Sequence, residues 1–155
     1  MSIERLLLGL LTSGISTLGF CLLMKLSPRR LPAAVLGGML TNLIYDLVFF
    51  SFGNLLLSAF LSSLFMALYS DLGARVLRIP ATLLIVPCII PIVPGSYLYY
   101  TLYHLFYHRT DLFLHYGKGA LQIGLGMAVG MSVAAVLLNA FVYVFQKIRK
   151  TLSES

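Results

Sequence analysis

Charged residues are scarce in this chain of 155 residues: they make up 10% of the sequence, against 59% hydrophobic residues. The mean hydropathy is +0.95. A water-soluble domain of this size keeps a large share of its surface in water and could not hide so much apolar area. The composition therefore excludes a soluble domain and predicts an integral membrane protein with the lipid bilayer as its surroundings.

Cysteines and catalytic signatures are also scarce. Cys21 and Cys88 lie within apolar segments, which is typical of small buried side chains rather than of a disulfide or a metal site. The sequence has no phosphate-binding loop, nucleophile elbow or zinc-protease motif. We therefore expect neither an enzyme nor a bound cofactor.

The apolar runs predict an all-α transmembrane bundle that forms a single membrane domain of about five spans. The spans are expected at about residues 6–26, 32–50, 55–72, 80–107 and 119–145. The first resembles a secretory signal, but its apolar run is long and no small-residue cleavage site precedes Lys25. We interpret it as a helix that is retained.

The net charge of +6 comes mainly from short basic clusters between the spans. Such clusters mark cytoplasmic loops in membrane proteins, so we do not expect nucleic acid as a partner. With five spans, the clusters near Arg29, Arg75 and Lys147 share one side, and fewer basic residues, such as Arg109, lie on the other. This distribution predicts a cytoplasmic C-terminus and an N-terminus outside.

The fourth predicted span contains more prolines than a regular helix allows. Pro80, Pro87, Pro91 and Pro94 are followed directly by Gly95. Each interior proline removes a backbone hydrogen bond and collides with the preceding turn. We expect two half-helices that meet at Pro94 and Gly95; the alternative is a short span followed by an aromatic helix in the membrane interface.

A broken helix inside a bilayer leaves backbone polar groups that must face protein or a watery cavity. Transporters place such breaks where substrate or a coupling ion binds. The break around Pro91 and Pro94 is therefore a candidate substrate pathway, with a purely structural kink as the alternative.

Asp46 is the one acidic residue well inside a predicted span, and Asn42 lies one turn before it on the same face. A charged carboxylate there costs on the order of 2.5 to 3.5 kcal/mol, so it should be protonated, paired or facing water. Desolvation favours the protonated form, which makes Asp46 a candidate proton carrier and Asn42 its neighbour in a substrate site. The alternative places Asp46 near the outer interface, in contact with water.

Other polar and small residues have simpler interpretations. His104 and His108 are spaced one turn apart near Asp111, but they lack the glutamate of a metalloprotease motif, so we expect an interfacial cluster and no metal. Two spans carry small residues every four positions, namely Gly9, Ser13 and Thr17 in the first and Gly126, Gly130 and Ala134 in the last. These faces favour helix packing and suggest a non-transporting scaffold, or an assembly of several copies, as alternatives to transport.

The segment Ile90–Gly95, with Tyr99 shortly after it, resembles the C-terminal half of the threonine/serine exporter family. In many bacteria that half is a separate small subunit of about this length. The resemblance implies a secondary exporter of amino acids or small dicarboxylates in the bacterial inner membrane, driven by the proton gradient. It also implies a larger membrane subunit as partner, and assigns Pro91, Pro94, Gly95 and Tyr99 to the pathway.

Overall fold

The structure, a computed structural model, describes residues 3–153, without the side chains at positions 3, 5, 142 and 144–153. Every regular element in this part of the chain is a helix, which confirms the predicted helical bundle. The elements are α1 Ile3–Leu23, α2 Leu31–Phe52, α3 Leu55–Leu77, α4 Thr82–Ile89, a 3-10 helix Ile90–Ile92, α5 Gly95–Phe106 and α6 Thr110–Ser153. The basic side chains of Arg5, Lys147, Arg149 and Lys150, which also bear on the predicted orientation, lie outside the described part.

The turn between α2 and α3 is fixed by its local sequence. Gly53 ends α2 with a φ of 63°, a left-handed conformation that glycine adopts without a side-chain clash. Asn54 then begins α3, where its side-chain oxygen accepts hydrogen bonds from the backbone N–H groups of Leu56 and Leu57. The turn is short, and α2 and α3 pack against each other.

The fourth crossing is broken close to the predicted position. The 3-10 helix contains Pro91, and Pro94 directly precedes α5. Neither residue has a backbone N–H, so a regular helix cannot continue through them. The arm Thr82–Ile92 and the arm Gly95–Phe106 are bent by 53° relative to each other. Pro87 lies buried inside α4, which continues past it.

Helices α3 and α6 run in the same direction. A Cβ atom built on Gly126 would lie 2.5 Å from the carbonyl oxygen of Leu56, and one built on Gly130 would lie 2.5 Å from that of Phe60. The residue numbers on both helices rise together along the contact. The chain must therefore cross back in the opposite direction between α3 and α6. This additional crossing supports a total of five.

The arm that contains α4 and the 3-10 helix makes most of this return. Near its beginning, Leu84 contacts Gly73 in the last part of α3. At its end, Ile92 joins Ala59, in the first part of α3, and Ile123 of α6 in a buried cluster. Helix α5 then continues alongside the first turns of α6.

Helix α6 begins at Thr110, earlier than the start near Gly119 that the sequence analysis expects. Asp111 lies in its first turn, where a carboxylate interacts favourably with the helix dipole. Gly119 lies inside α6 rather than at its start, and it admits a neighbouring helix: a Cβ atom there would collide with the ring of Tyr97 on α5. The residue interpreted as a boundary is a packing position.

The small-residue faces of α1 and α6 are used inside this chain. Gly38 of α2 packs directly on Thr17 of α1, and Gly126 and Gly130 admit the backbone of α3. The scaffold hypothesis assigned Gly126 and Gly130 to contacts with other chains. The structure corrects that assignment, because both positions are filled by a helix of the same chain.

Candidate functional site

A polar cleft of about 430 Å³ lies where α1, α2 and the helix break meet. Most residues around it are small, or carry a hydroxyl, amide or carboxyl group. Its lining consists of Gly9, Thr12, Ser13, Ser16, Asn42, Asp46, Ile90 and Pro91. Thr12 and Ser16 are exposed, whereas Asn42 and Asp46 are half-buried. The cleft is therefore open on the side of α1.

Asp46 and Asn42 form the polar centre of this cleft. The Nδ2 atom of Asn42 donates a hydrogen bond of 3.0 Å to Oδ2 of Asp46. Both side chains approach α1 at Gly9, where a Cβ atom would lie 3.0 Å from Oδ2 of Asp46 and 3.3 Å from Nδ2 of Asn42. A glycine at this position lets the polar pair lie close to the backbone of α1.

The hydroxyl groups of α1 donate their hydrogens to their own helix. Thr12 Oγ1 donates to the carbonyl oxygen of Leu8 at 2.8 Å. Ser13 Oγ donates to Leu10 at 2.9 Å, and Ser16 Oγ donates to the carbonyl oxygen of Ser13 at 3.0 Å. Each hydroxyl therefore retains lone pairs, but not its hydrogen, for a bound molecule.

The structure brings together half of the predicted site residues. Asn42, Asp46 and Pro91 line the same cleft although they come from two separate segments of the chain. Pro91 contributes the edge formed by the broken crossing, where proline offers no N–H group. The predicted link between the intramembrane carboxyl and the helix break thus has a geometric basis.

Pro94, Gly95 and Tyr99 do not line this cleft. Pro94 and Gly95 form the start of α5, and a Cβ atom added to Gly95 would meet nothing within 4 Å. Tyr99 is 62% exposed and its ring packs against those of Tyr100 and Tyr103 on α5. These residues shape or extend the break rather than line the cleft.

Sequence reasoning missed the contribution of α1 to the site. It assigned Gly9 and Ser13 to helix packing. Gly9 does lie against α2 and Ser13 is buried, yet both also line the cleft with Thr12 and Ser16. The available signal was the density of hydroxyl groups on one helix, which exceeds what close packing requires.

The histidines do not line the cleft: His104 lies on α5, and His108 follows it. His104 is buried, its ring lies 5.4 Å from that of Tyr116, and its Nδ1 atom is buried with no hydrogen-bond partner among the described residues. His108 lies in the turn before α6 with a φ of 52°. No group of three potential metal ligands occurs within the described part of the chain.

The fold and the cleft together define a class of protein. Within residues 3–153, four helices are long and apolar enough to span a membrane, and the bent pair makes a fifth candidate span. A half-buried carboxyl lies beside a discontinuous helix, an arrangement that secondary transporters use for substrate and ion sites. The chain is thus a multi-pass membrane protein of transporter type.

The chain belongs to the threonine/serine exporter family. Residues 9–137 match the family described as "Threonine/Serine exporter, ThrE". The matching region includes every residue that lines the cleft. No curated protein and no solved structure shows significant similarity to the chain.

Proposed function

We propose that the chain is a subunit of a proton-coupled secondary exporter of small metabolites, either amino acids of the threonine/serine type or small dicarboxylates. The observation that carries the proposal is the position of Asp46, hydrogen-bonded to Asn42 in a polar cleft beside the broken helix. Membership of an exporter family supports transport as the role of this cleft.

In the proposed mechanism, Asp46 changes between a charged and a protonated state as the cleft is exposed to one side of the membrane and then to the other. A carboxyl group surrounded by protein is sensitive to such changes, because desolvation favours its neutral form. Uptake of a proton from outside and its release inside would supply the energy that moves the metabolite outwards. Asn42 would hold the carboxyl group in position in both states.

The larger membrane subunit of the family is proposed to cover the open side of the cleft. Thr12 and Ser16 expose polar groups on α1, and Asp46 is not fully enclosed. Inside a bilayer, polar groups require contact with protein or with a water-filled cavity rather than with lipid tails. Further copies of the same chain are an alternative cover, which a measurement of subunit composition would distinguish.

We place the chain in the bacterial inner membrane with its C-terminus in the cytoplasm. The basic clusters after α1 and α3 support this orientation, as does the common direction of α3 and α6. Single cysteines introduced at Arg29 and Arg109 would test it. A membrane-impermeant thiol reagent added to intact cells should label the second position and not the first.

Transport can be tested in vesicles that contain the chain together with the larger family subunit from the same organism. Vesicles loaded with radiolabelled L-serine, L-threonine or succinate would be given a pH gradient, and efflux would be measured. We expect the gradient to accelerate efflux of at least one compound with the wild-type chain. Efflux unaffected by the gradient, or unaffected by omission of this chain, would contradict the proposal.

A non-transporting scaffold remains the second candidate, because a different surface favours it. An apolar groove of about 620 Å³ lies between α5 and α6 and includes Leu98, Leu121 and Gly124. Such a groove suits a lipid chain or a helix of another protein. For a scaffold, Leu121→Asn should reduce assembly of the complex, whereas Asp46→Asn should leave all functions intact.

A further inference from the structure

We propose that the trough between α5 and α6 binds an anionic phospholipid, with one acyl chain in its apolar groove and the phosphate group at its basic end. The trough consists of two adjoining cavities. The groove of about 620 Å³ contains Leu98, Leu121 and Gly124, and the basic pocket of about 190 Å³ contains His108 and Arg109. The inference is separate from the transport proposal, because it concerns a different surface of the chain.

The two cavities are continuous along the same pair of helices, since Phe113 lines both of them. Gly117 of α6 lies opposite Thr101 of α5, and Gly119 lies opposite Tyr97. The two helices therefore run in opposite directions along the trough. A molecule that lies in the trough would contact the basic pocket near the turn between the helices and the groove further along α6.

The groove offers an apolar surface with the length of an acyl chain. Its lining is aliphatic, aromatic or glycine apart from Thr101 and Lys118. The Thr101 hydroxyl is already hydrogen-bonded to the carbonyl oxygen of Tyr97 at 2.6 Å. The lining follows α6 from Phe113 to Leu125, about 18 Å at 1.5 Å per residue. One leaflet contributes about 15 Å to the hydrocarbon core of a bilayer, so the groove matches the length of one chain.

The groove is not filled by the described part of the chain. Only α5 and α6 contribute to its lining there, and Leu98 and Leu121 are 50% and 67% exposed. A Cβ atom added to Gly124 would meet nothing within 4 Å. The occupant of the groove must therefore come from outside this chain.

The end of the trough near the turn is basic. His104, His108 and Arg109 line the pocket, and Lys118 lines the groove. The Arg109 guanidinium is always charged, and the long Lys118 side chain can extend towards the headgroups. The described residues that line the two cavities include no acidic side chain, since Asp111 in the first turn of α6 lines neither. The charge at this end therefore complements an anionic headgroup.

Two further features of the basic pocket favour an anion. His104 is 8% exposed, and its Nδ1 atom is buried with no hydrogen-bond partner among the described residues. A buried polar atom normally has a partner, and a phosphate oxygen, or a water molecule held by it, would supply one. Thr110 lines the same pocket and begins α6, and the first N–H groups of a helix attract anions.

The basic end lies where headgroups are expected. Tyr103 and Tyr107 are exposed in the last turns of α5, and tyrosines are typical of the membrane–water interface. In the orientation proposed above, this end belongs to the outer leaflet. A phospholipid of that leaflet would bring its phosphate to Arg109 while its acyl chain follows α6 into the bilayer.

The sequence contains no tryptophan, so a single introduced tryptophan can report on the groove. The full-length chain with Leu98→Trp would be placed in phosphatidylcholine vesicles that contain dibrominated phosphatidylglycerol or dibrominated phosphatidylcholine with the same acyl chains. Bromine on an acyl chain quenches tryptophan at short range, so the two quenching curves give the relative affinity for the two lipids. Leu121→Trp is a second reporter in the groove. Leu11→Trp, on an exposed position of α1 outside the trough, is the control.

We expect both groove reporters to show a preference for phosphatidylglycerol of about fivefold or more, and Leu11→Trp to show none. About fivefold is the effect of one basic side chain near a headgroup. Arg109→Gln combined with Lys118→Gln should remove the preference. Arg29→Gln combined with Arg30→Gln should preserve it, because these arginines follow α1 at the opposite end of the bundle. Equal affinities at both groove reporters, or a preference that Leu11→Trp shares, would overturn the inference.

Filling the groove provides an independent check. Gly124→Phe should lower the preference measured at Leu98→Trp, because the ring would occupy the space of the acyl chain. Gly19→Phe on α1, where an added Cβ atom also meets nothing within 4 Å, should leave it unchanged. An equal preference in both variants would contradict an acyl chain in the groove.

The remaining alternative is a helix of the larger subunit in the same groove. Native mass spectrometry of the complex, purified with added phosphatidylglycerol, should detect retained lipid. Arg109→Gln combined with Lys118→Gln should reduce the retained amount. A complex that retains no lipid would show that protein covers the groove, and the phospholipid inference would fail while the transport proposal would stand.

Discussion

Asn42 and Asp46 lie one turn apart on α2 and are joined by a hydrogen bond of 3.0 Å between Nδ2 and Oδ2. The amide therefore holds the carboxyl group in a defined orientation within the cleft. In the proposed mechanism, the oxygen atoms of this carboxyl group would bind either a proton or a cargo molecule.

Asp46→Asn should stop proton-coupled efflux while leaving the protein folded. The amide has nearly the same size as the carboxyl group but cannot exchange a proton, so efflux driven by a pH gradient should fall about tenfold or more. Efflux from loaded vesicles measures the effect. Asp71→Asn is the control, because its ion pair with Arg75 is exposed and such pairs contribute little. Equal loss in both variants would contradict the assignment.

Gly9→Ala should disturb the site although it adds a single methyl group. That methyl would lie 3.0 Å from Oδ2 of Asp46, so the carboxyl group or α1 must move. We expect a lower apparent affinity for cargo, with a stability cost of about 1 kcal/mol or more from overpacking. Gly19→Ala on the same helix is the control, since nothing lies within 4 Å of its added atom. A normal apparent affinity for cargo in both variants would count against a close approach of α1 to Asp46.

Gly126→Leu should destabilise the chain itself. Leu56 and Phe60 bring the backbone of α3 to within about 3 Å of an atom added at Gly126, which leaves no room for a larger side chain. Overpacking of this kind costs about 1–3 kcal/mol. Thermal unfolding in detergent, with the chain purified alone, measures it. Gly124→Leu faces open space and should have little effect. A defect confined to subunit assembly, with normal stability, would restore the scaffold interpretation of Gly126.

Replacing Pro91 and Pro94 together with alanine should straighten the fourth crossing. Both positions would regain an N–H group, so the bend of 53° between the two arms should decrease. Efflux driven by a pH gradient should decrease with it. Spin-label distances between Leu83 and Tyr103 would report the straightening. Pro32→Ala is the control, because a proline in the first turn of α2 removes no helical hydrogen bond. An unchanged distance would show that packing, and not proline, maintains the bend.

The features that depend on local chemistry could be predicted from the sequence. Pro91 and Pro94 cannot donate backbone hydrogen bonds, so the break followed without knowledge of any neighbouring helix. Asp46 was equally recognisable, because a carboxyl group within an apolar run needs an explanation wherever the run packs. The helical membrane class of the fold followed from the apolar runs.

The features that depend on which helices meet could not be predicted. Thr12 and Ser16 line the cleft because they border the face of α1 that packs on α2, and periodicity alone does not identify the neighbouring helix. Tyr99 was assigned to the pathway by the family resemblance, and in the structure its ring is exposed on α5 and does not line the cleft. The last span was expected to begin near Gly119, but a glycine inside a helix also permits the close approach of a neighbour.

The glycine contacts between α3 and α6 have a consequence for motion. Helices whose backbones touch at Gly126 and Gly130 cannot slide or separate without opening a void, so they behave as one stiff unit. Helix α1 rests mainly on α2, with smaller contacts to α4 and the 3-10 helix. We therefore expect movement of α1 to open and close the cleft. A crosslink between Gly14 and Met39 should stop proton-coupled efflux without occupying the binding site.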